Sequence, residues 1–146
     1  MKPVFFDTNV LVAACVATHP HHQPSRTKLA EAQQGKIQGV ISSQIIAETY
    51  AVLTTLPLTP AILPATAGQL IDENLREFRR IHISSHDYDQ ALQRTIDRNL
   101  RGNLIFDSLI LQACLREKIS TLLTWNERDF LRLSGAAEIK IIHPED

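Results

Sequence analysis

Cysteine is scarce in this 146-residue sequence, which contains only Cys15 and Cys114. Two cysteines so far apart in the chain make neither a disulfide framework nor a cysteine zinc motif, so we expect free thiols in a reducing compartment. Long apolar runs are also missing, and no stretch approaches the ~20 residues that a membrane-spanning helix needs. The start of the chain shows no secretory signal pattern. These absences predict a cytoplasmic protein with no membrane segment.

Charge of one sign is not in excess, because 15 Lys and Arg residues stand against 16 Asp and Glu residues, for a formal net charge of −1. Bulk charge therefore does not indicate a nucleic-acid partner, and binding of a nucleic acid would need a local basic face. Two arginine groups, in residues 76–80 and 94–101, are candidates for such a face. Acids lie among them, so an ordinary mixed-charge surface is the alternative.

Several phosphate-binding and nucleophile motifs are absent as well. The sequence contains no G-x-x-x-x-G-K-[ST], G-x-G-x-x-G or G-x-S-x-G pattern. Nucleotide hydrolysis, dinucleotide binding and serine-hydrolase chemistry are therefore disfavoured.

Short apolar segments alternate with longer helical ones along the chain. We predict strands at residues 4–6, 39–41, 80–84, 121–124 and 140–143. We predict helices that begin near residue 10 and that cover about 25–34, 44–56, 61–76, 87–99 and 104–117, with Ser25 as a helix cap. Such alternation favours a mainly parallel sheet covered on both faces. The sequence therefore predicts an α/β fold, a three-layer α/β/α arrangement with about five strands, as one domain over residues 1–146.

Four acidic residues fall where such a sheet would bind a ligand. Asp7 follows the first strand, Asp129 comes shortly after the fourth, and Glu48 and Asp107 lie near the starts of two helices. In open α/β sheets, ligands bind beyond the carboxyl ends of the strands. We therefore expect the four carboxylates to lie at one edge of the sheet.

Two of these acids stand among apolar residues. Asp107 is the one acid in residues 104–115, which are apolar nearly all round a helix, and Glu48 lies at the edge of an apolar stripe. An isolated buried carboxylate costs several kcal/mol, so it has to be neutralised, paired or bound to a metal ion. Clustered carboxylates repel one another unless a divalent cation lies between them, and oxygen ligands select Mg²⁺ or Mn²⁺ over Zn²⁺.

Each acid also has a simpler explanation. Asp7 and Asp107 fit helix caps or first-turn acids, Glu48 fits a rim position, and Asp129 fits the start of a last short helix. Hydroxyl side chains beside the acids would orient water or a phosphate, or serve as ordinary caps and strand ends: Thr8, Ser108 and Thr124. The joint pattern favours a site, because independent caps need not share one edge of a sheet.

Four segments of the sequence resemble the motifs of PIN domains. They are residues 5–11 (FFDTNVL), 45–48 (IIAE), 105–110 (IFDSLI) and 123–130 (LTWNERDF). Each motif is short, but their order, their spacing and the chain length are similar to those of the VapC-type toxins of bacterial and archaeal toxin–antitoxin pairs. The resemblance covers nearly the whole chain.

This resemblance implies a PIN fold and a Mg²⁺- or Mn²⁺-dependent endoribonuclease that cleaves RNA. It also implies a partner antitoxin that restrains the enzyme, and a homodimer. Asp7 and Asp107 match the principal metal ligands of the family, and Glu48 matches the acid that completes the site. Asn9 matches a polar residue that supports the first ligand.

The closing motif departs from the family pattern. Asn126 stands where many relatives have Asp, and Asp129 is an additional acid before Phe130. An amide oxygen is a weaker metal ligand than a carboxylate, so either Asn126 or Asp129 would complete the site, with one metal ion or two.

Two other classes of function stay open at this stage. The first is a catalytically silent PIN-like module that only binds RNA or protein, although acids at all the ligand positions argue against it. The second is a metal-dependent phosphatase or DNA nuclease on a similar sheet, although no D-x-D-x-[TV] pattern of the common phosphatases occurs.

Aromatic and histidine side chains near the closing motif also allow two interpretations. Trp125 would stack on an RNA base or pack at the strand end. His19, His21 and His22 would form a metal cluster or an exposed turn around Pro20, and the turn is the favoured interpretation.

Overall fold

The computed structural model describes residues 1–134 and 139–146. In this part of the chain the strands are β1 (Pro3–Phe6), β2 (Gln38–Ser42), β3 (Arg79–Ile81), β4 (Thr121–Leu123) and β5 (Lys140–Ile142). The helices are α1 (Thr8–Cys15), α2 (His22–Gln33), α3 (Ser43–Thr55), α4 (Pro64–Leu75), α5 (Ser85–Asp97), α6 (Leu104–Arg116) and α7 (Glu127–Ser134).

The strands form one sheet in the order β3-β2-β1-β4-β5, and every neighbouring pair is parallel. Phe5 of the central strand β1 pairs with Val40 of β2 and Leu122 of β4, and all three are fully buried. A strand that is covered on both faces has no solvent side, which explains why β1 is apolar at successive positions. The predicted three-layer α/β fold with a parallel sheet of five strands is confirmed.

The strand order reverses at β1, and this reversal positions the site. β2 and β3 lie on one side of β1, whereas β4 and β5 lie on the other. Beyond the end of β1, the Asp7 backbone N–H donates to the Leu123 carbonyl at 3.0 Å, and the Thr124 N–H donates to Ile142 at 3.0 Å. The chain therefore leaves two adjacent strands side by side at the carboxyl edge, where parallel sheets bind ligands.

The helix boundaries differ from the prediction at a few places. α2 begins at His22, so the prediction that Ser25 caps this helix is wrong. Ser25 lies inside the helix instead and is fully buried. α4 begins at Pro64, because a proline fits the first turn of a helix, where its missing N–H leaves no bond unmade. In the part of the chain that the structure describes, no helix has the length and apolar character to cross a membrane.

A buried ion pair joins the ends of α5 and α6. Asp87 has no exposed surface, and with Ser84 it forms a reciprocal cap at the start of α5. Arg116 donates its Nε to both carboxylate oxygens of Asp87, at 3.0 and 3.1 Å, and it also donates to the His82 carbonyl. Burial by itself raises the pKa of Asp87, but hydrogen bonds from Arg116 and Ser84 outweigh it and hold that pKa below its usual value.

The Arg116→Ala variant is expected to lose about 2–4 kcal/mol of unfolding free energy at pH 7, because Asp87 would stay buried without its cation. Urea denaturation measures the loss. A carboxylate whose pKa is depressed by folding stabilises the protein above about pH 4 and loses that contribution as the pH falls. The difference between wild type and variant should therefore shrink below that pH.

The matched control is Arg76→Ala, which removes a guanidinium from an ion pair that is open to solvent. Arg76 and Asp72 are 2.7 Å apart, but their side chains are 65% and 69% exposed. Exposed pairs of this kind contribute little to stability, so the denaturation midpoint should hardly move. Equal denaturation midpoints for the two variants would show that the pair of Arg116 and Asp87 contributes no more to stability than the exposed pair does.

Candidate metal and phosphodiester site

The structure brings the four predicted acids into one electrostatic neighbourhood at the carboxyl edge of β1 and β4. Asp7 ends β1 and is the N-cap of α1, Asp107 lies in the first turn of α6, and Asp129 lies in the first turn of α7. Glu48 lies within α3 and is partly buried. Asp107 interacts electrostatically with all three of the other carboxylates.

Asp7 is the most buried of these acids, with 7% of its surface exposed. Its carboxylate accepts hydrogen bonds from the Thr8 backbone N–H at 2.8 Å, the Thr124 hydroxyl at 2.8 Å and the Asn9 side-chain amide at 3.4 Å. Burial is the largest influence and raises the pKa of Asp7 to about 6, although the bonds from Thr124 and Thr8 lower it. The charge of Glu48 adds to the rise.

Partial burial and the charges of the other acids raise the pKa of Asp107 to about 7. Partial burial is the largest cause, and the charges of Asp7, Asp129 and Glu48 each raise the pKa further. The site therefore holds protons at pH values where ordinary aspartates have lost them. A divalent cation would relieve the same repulsion without a proton.

The hydroxyl and amide residues around the acids orient two of them. Thr8 donates its hydroxyl to Glu48 at 2.9 Å, and Gln44, one turn earlier on α3, donates its amide to Glu48 at 2.8 Å. Thr124 likewise donates its hydroxyl to Asp7, and the same oxygen accepts from the Asn126 backbone N–H at 2.9 Å. Thr8 and Thr124 thus position carboxylates and do more than end a strand or cap a helix.

At the closing motif the two candidate residues are paired with each other. Asn126 donates its side-chain amide to Asp129 at 2.9 Å, and Asp129 also lies 3.6 Å from Arg132 on the same helix. Asn126 lines the cavity beside Asp7, whereas Asp129 does not line it and raises the pKa of Asp107 through its charge. The two residues form one unit at this side of the site.

The side chains fit a divalent ion in chemistry but are not drawn together around one. Among residues 1–134 and 139–146, no three His, Cys, Asp or Glu side chains stand close enough to share a metal ion. The sequence-based expectation that the Asp7, Glu48 and Asp107 carboxyls meet at ion-binding distance is therefore not met in this arrangement. Each carboxylate is an oxygen donor of the kind that hard divalent ions prefer.

A cavity of about 490 Å³ opens in front of these acids. Asp7, Asp107, Asn9 and Asn126 line its polar side. Val12, Val52 and Leu56 line an aliphatic wall. The volume is within the range of small-molecule sites, and the mixture of carboxylates and apolar surface suits a ligand that has both a charged and an apolar part.

Ser108 does not belong to this site in the structure. Its hydroxyl is fully buried and donates to the Ala91 carbonyl of α5 at 3.0 Å, which ties α6 to α5. The expectation that Ser108 orients water or a phosphate is not supported by this contact. The start of α6 is also more open than its apolar sequence indicated, because Phe106 is 48% exposed.

Sequence reasoning missed the contacts of Trp125. Its indole N–H donates to the buried Ser25 hydroxyl at 2.8 Å, and its backbone N–H donates to Asn9 at 3.1 Å. His21 stacks on its ring, with centroids 3.8 Å apart and 13° between the planes. No periodicity could have indicated these contacts, because about 100 residues separate the partners. The contact of Gln44 with Glu48 could have been predicted, because Gln44 precedes Glu48 by one helical turn.

At least three of the six arginines predicted as a basic face have local partners. Arg76 pairs with Asp72, and Arg79 pairs with Glu117 at 3.0 Å. Arg94 donates to the Leu133 carbonyl at 3.4 Å. These contacts agree with the alternative interpretation of a mixed-charge surface.

A family model for the PIN domain matches residues 3–128. This chain belongs to the PIN-domain family. The match includes Asp7, Glu48, Asp107 and Asn126 and ends one residue before Asp129. The identification of a PIN domain from four short motifs is confirmed.

Solved structures of toxin–antitoxin proteins have the same fold as this PIN domain. VapBC2 from Rickettsia felis, bound to a DNA fragment from its promoter, has a TM-score of 0.71 at 20% identity, covering 97% of this chain and 98% of that one. DNA-bound VapBC from Salmonella typhimurium has a TM-score of 0.70 at 15% identity, covering 99% of each chain. VapC20 from Mycobacterium tuberculosis, a toxin that cleaves the sarcin–ricin loop, has a TM-score of 0.69 at 15% identity, covering 86% of this chain and 92% of that one.

At such low identities the likeness shows a common fold. No curated protein sequence matches this PIN domain. Its activity therefore has to be argued from its own site.

Proposed function

We propose that this PIN domain is a metal-dependent endoribonuclease and the toxin of a VapBC-type toxin–antitoxin pair. The observation that carries the proposal is the carboxylate pocket at the sheet edge, where burial and mutual repulsion raise the pKa of Asp7 to about 6 and that of Asp107 to about 7. Such a pocket favours a hard divalent cation. Hydrolysis of a phosphodiester bond is a reaction that such a cation supports.

Asp7, Glu48 and Asp107 would hold Mg²⁺ or Mn²⁺, and Asn126 with Asp129 would complete the site. When bound, the ion makes a water molecule more acidic and neutralises charge on the phosphoryl oxygens. The chain's own part is orientation, because Thr124 and Asn9 fix the Asp7 carboxylate, and Thr8 with Gln44 fixes that of Glu48. Hydrogen bonds of this kind orient a ligand and tune its basicity.

RNA is the substrate that we propose, and the reason lies in the cavity as well as in the family. A backbone phosphate would meet the acids through the cation, while the aliphatic wall of Val12, Val52 and Leu56 offers apolar surface to the rest of a nucleotide. VapC20 from M. tuberculosis, which has the same fold, is a toxin that cleaves the sarcin–ricin loop. That likeness supports the choice of RNA without deciding which RNA is cut.

An antitoxin is the protein partner that we propose. The R. felis and S. typhimurium structures are VapBC complexes, in which a protein of this fold is bound to its antitoxin. In this chain an arginine of a partner could take the place of the cation, because a guanidinium pairs with two carboxylate oxygens at once. We also propose that the chain forms a homodimer in the cytoplasm. Two chains would bring two pockets together and form one longer binding surface for RNA.

The purified chain is expected to cleave single-stranded or loop-containing RNA when Mg²⁺ or Mn²⁺ is present and to stop when EDTA is added. Zn²⁺ should support cleavage poorly, because oxygen-rich sites of this kind favour harder ions. Gel analysis of labelled RNA with each ion measures the effect. A single-stranded DNA of the same sequence, assayed in parallel, tests whether the substrate is RNA.

Three outcomes would contradict the proposal. Full activity in EDTA would exclude the metal site as the origin of cleavage. Faster cleavage of DNA would make the chain a DNA nuclease. Binding of RNA without any cleavage, with every divalent ion, would make the protein a silent PIN-like binding module.

A further inference from the structure

Four aromatic rings form a row of ring–ring contacts, and three of them line the acidic cavity. The rings of His21 and Trp125 are stacked, with centroids 3.8 Å apart. The ring centroids of His19 and His21 are 5.7 Å apart with tilted planes, and those of Trp125 and His143 are 4.1 Å apart in a T-shaped arrangement. We call His19, His21, Trp125 and His143 the aromatic row.

The aromatic row faces the same cavity as the acids. His19, His21 and Trp125 line it together with Asp7 and Asp107. Across from the acids' polar surface the cavity also has its aliphatic wall of Val12, Val52 and Leu56. A flat apolar group that entered beside the acids would meet aromatic rings and aliphatic side chains.

Hydrogen bonds hold the aromatic row at a fixed position relative to the first acid. Asn9 accepts from the Trp125 backbone N–H at 3.1 Å and donates its amide to Asp7 at 3.4 Å and to Thr124 at 3.3 Å. Ser25 fixes the indole from the other end at 2.8 Å. One side chain, Asn9, therefore connects the backbone of the row to the carboxylate that ends β1.

Within the row, His21 has the ring that a ligand can reach. Its partner Trp125 is covered on one face by the His21 ring and makes a T-shaped contact with His143. His21 itself is exposed. The expectation that Trp125 stacks directly on a base is therefore replaced by an arrangement in which Trp125 backs His21.

We propose that the aromatic row is a nucleobase subsite, in which His21, backed by Trp125, stacks on an unpaired base of the RNA next to the phosphodiester group at the acids. The inference rests on the proposed ribonuclease function and adds the chemistry of substrate recognition. A base in a duplex is already stacked on both faces, whereas an unpaired base can turn into a cavity of this size. Every base has a π-face, so stacking selects unpaired structure more than it selects a base identity.

The chain carries its own reporter for this subsite, because Trp125 is its only tryptophan. The experiment uses the Asp107→Asn variant with Mg²⁺, which keeps the RNA uncut, and titrates it with a short single-stranded RNA. The same RNA as a duplex and the same RNA with one abasic position serve as comparison probes. Trp125 fluorescence reports binding at the row, and anisotropy of an end-labelled RNA measures affinity independently.

His21→Ala is expected to weaken binding of the single strand about five- to tenfold, because stacking on one base is lost. His21→Phe keeps a flat ring and should restore most of the affinity. His86→Ala is the matched control, since this exposed histidine lies in α5 and does not line the cavity; its affinity should stay at the parent value. The duplex and the abasic probe should bind the parent more weakly than the intact single strand.

Three results would overturn the subsite. They are an unchanged affinity in His21→Ala, an equal loss in His21→Ala and His21→Phe, and a duplex that binds as tightly as the single strand. The proposed function is judged separately, from cleavage of the same RNA by the wild-type chain. Cleavage by wild type with no effect of His21 would refute the subsite alone, and His21-dependent binding of RNA without wild-type cleavage would refute the nuclease alone.

Discussion

The Asp7→Asn variant is expected to lose RNA cleavage by about a hundredfold to a thousandfold or more. The substitution keeps the size of the side chain but removes the charge that would hold a divalent cation, and such a cation stabilises the transition state by several kcal/mol. Initial rates with saturating Mg²⁺ measure the loss. Asp89→Asn is the control, because Asp89 is an exposed acid on α5 and its neutralisation should leave the rate unchanged.

The same variant is expected to unfold at an equal or higher temperature than wild type at pH 8 in EDTA. Ionising Asp7 costs about 3 kcal/mol more in the folded chain than in the unfolded chain, since burial raises its pKa from 3.8 to about 6. Asparagine avoids this cost, although it loses some of the hydrogen bonds that the carboxylate accepts from Thr8, Thr124 and Asn9.

The pH dependence separates these two contributions. The unfolded chain releases the Asp7 proton near pH 3.8 and the folded chain near pH 6, so wild type loses stability as the pH rises between those values. Any advantage of Asp7→Asn should therefore appear at pH 8 and vanish near pH 4. A variant that melts well below wild type at pH 8 would mark Asp7 as a structural helix cap.

Expression of this chain alone is expected to slow bacterial growth strongly, and co-expression of the product of the reading frame immediately upstream should restore growth. An endoribonuclease without restraint destroys RNA that the host needs. Growth curves under an inducible promoter measure the effect. The Asp107→Ala variant should be harmless, because it lacks one of the proposed metal-binding carboxylates.

The Asp107→Ala variant should still bind the product of the upstream reading frame, as a pull-down of the two proteins would show. Binding without toxicity separates recognition from cleavage, since Asp107 is only one of the acids that a partner arginine would meet. Toxicity of Asp107→Ala equal to that of the parent would mean that growth arrest does not come from metal-dependent cleavage, and a binding role would then explain it better.

Much of the fold follows from local sequence patterns. The central strand β1 is predictable because three apolar residues stop at Asp7, and buried parallel strands have this pattern. Boundaries were less predictable where two signals compete. Ser25 resembles a helix cap, but the helix starts earlier at His22, and the serine instead accepts a hydrogen bond from Trp125, one hundred residues later in the chain.

The site was predictable in its acids and less so in their partners. Asp7 and Asp107 could be placed because both stand at the start of a helix beside apolar residues, where strand order fixes the location. The role of Ser108 could not be predicted, because its hydroxyl faces α5, and only the packing of α6 against α5 decides that. The stack of His21 on Trp125 depends in the same way on contacts between distant segments.

The hydrogen bond between Asp7 and Thr124 has a consequence for the order in which the protein is made. The two residues are 117 positions apart, so Asp7 cannot accept this hydrogen bond until Thr124 has been synthesised. Strand β4, which lies against β1, arrives equally late. Because chains emerge from the ribosome starting at the N-terminus, a growing chain contains β1 and Asp7 before it contains β4 and Thr124. The complete pocket therefore does not exist while the chain is being made, because the four acids can come together only after translation has passed Asp129.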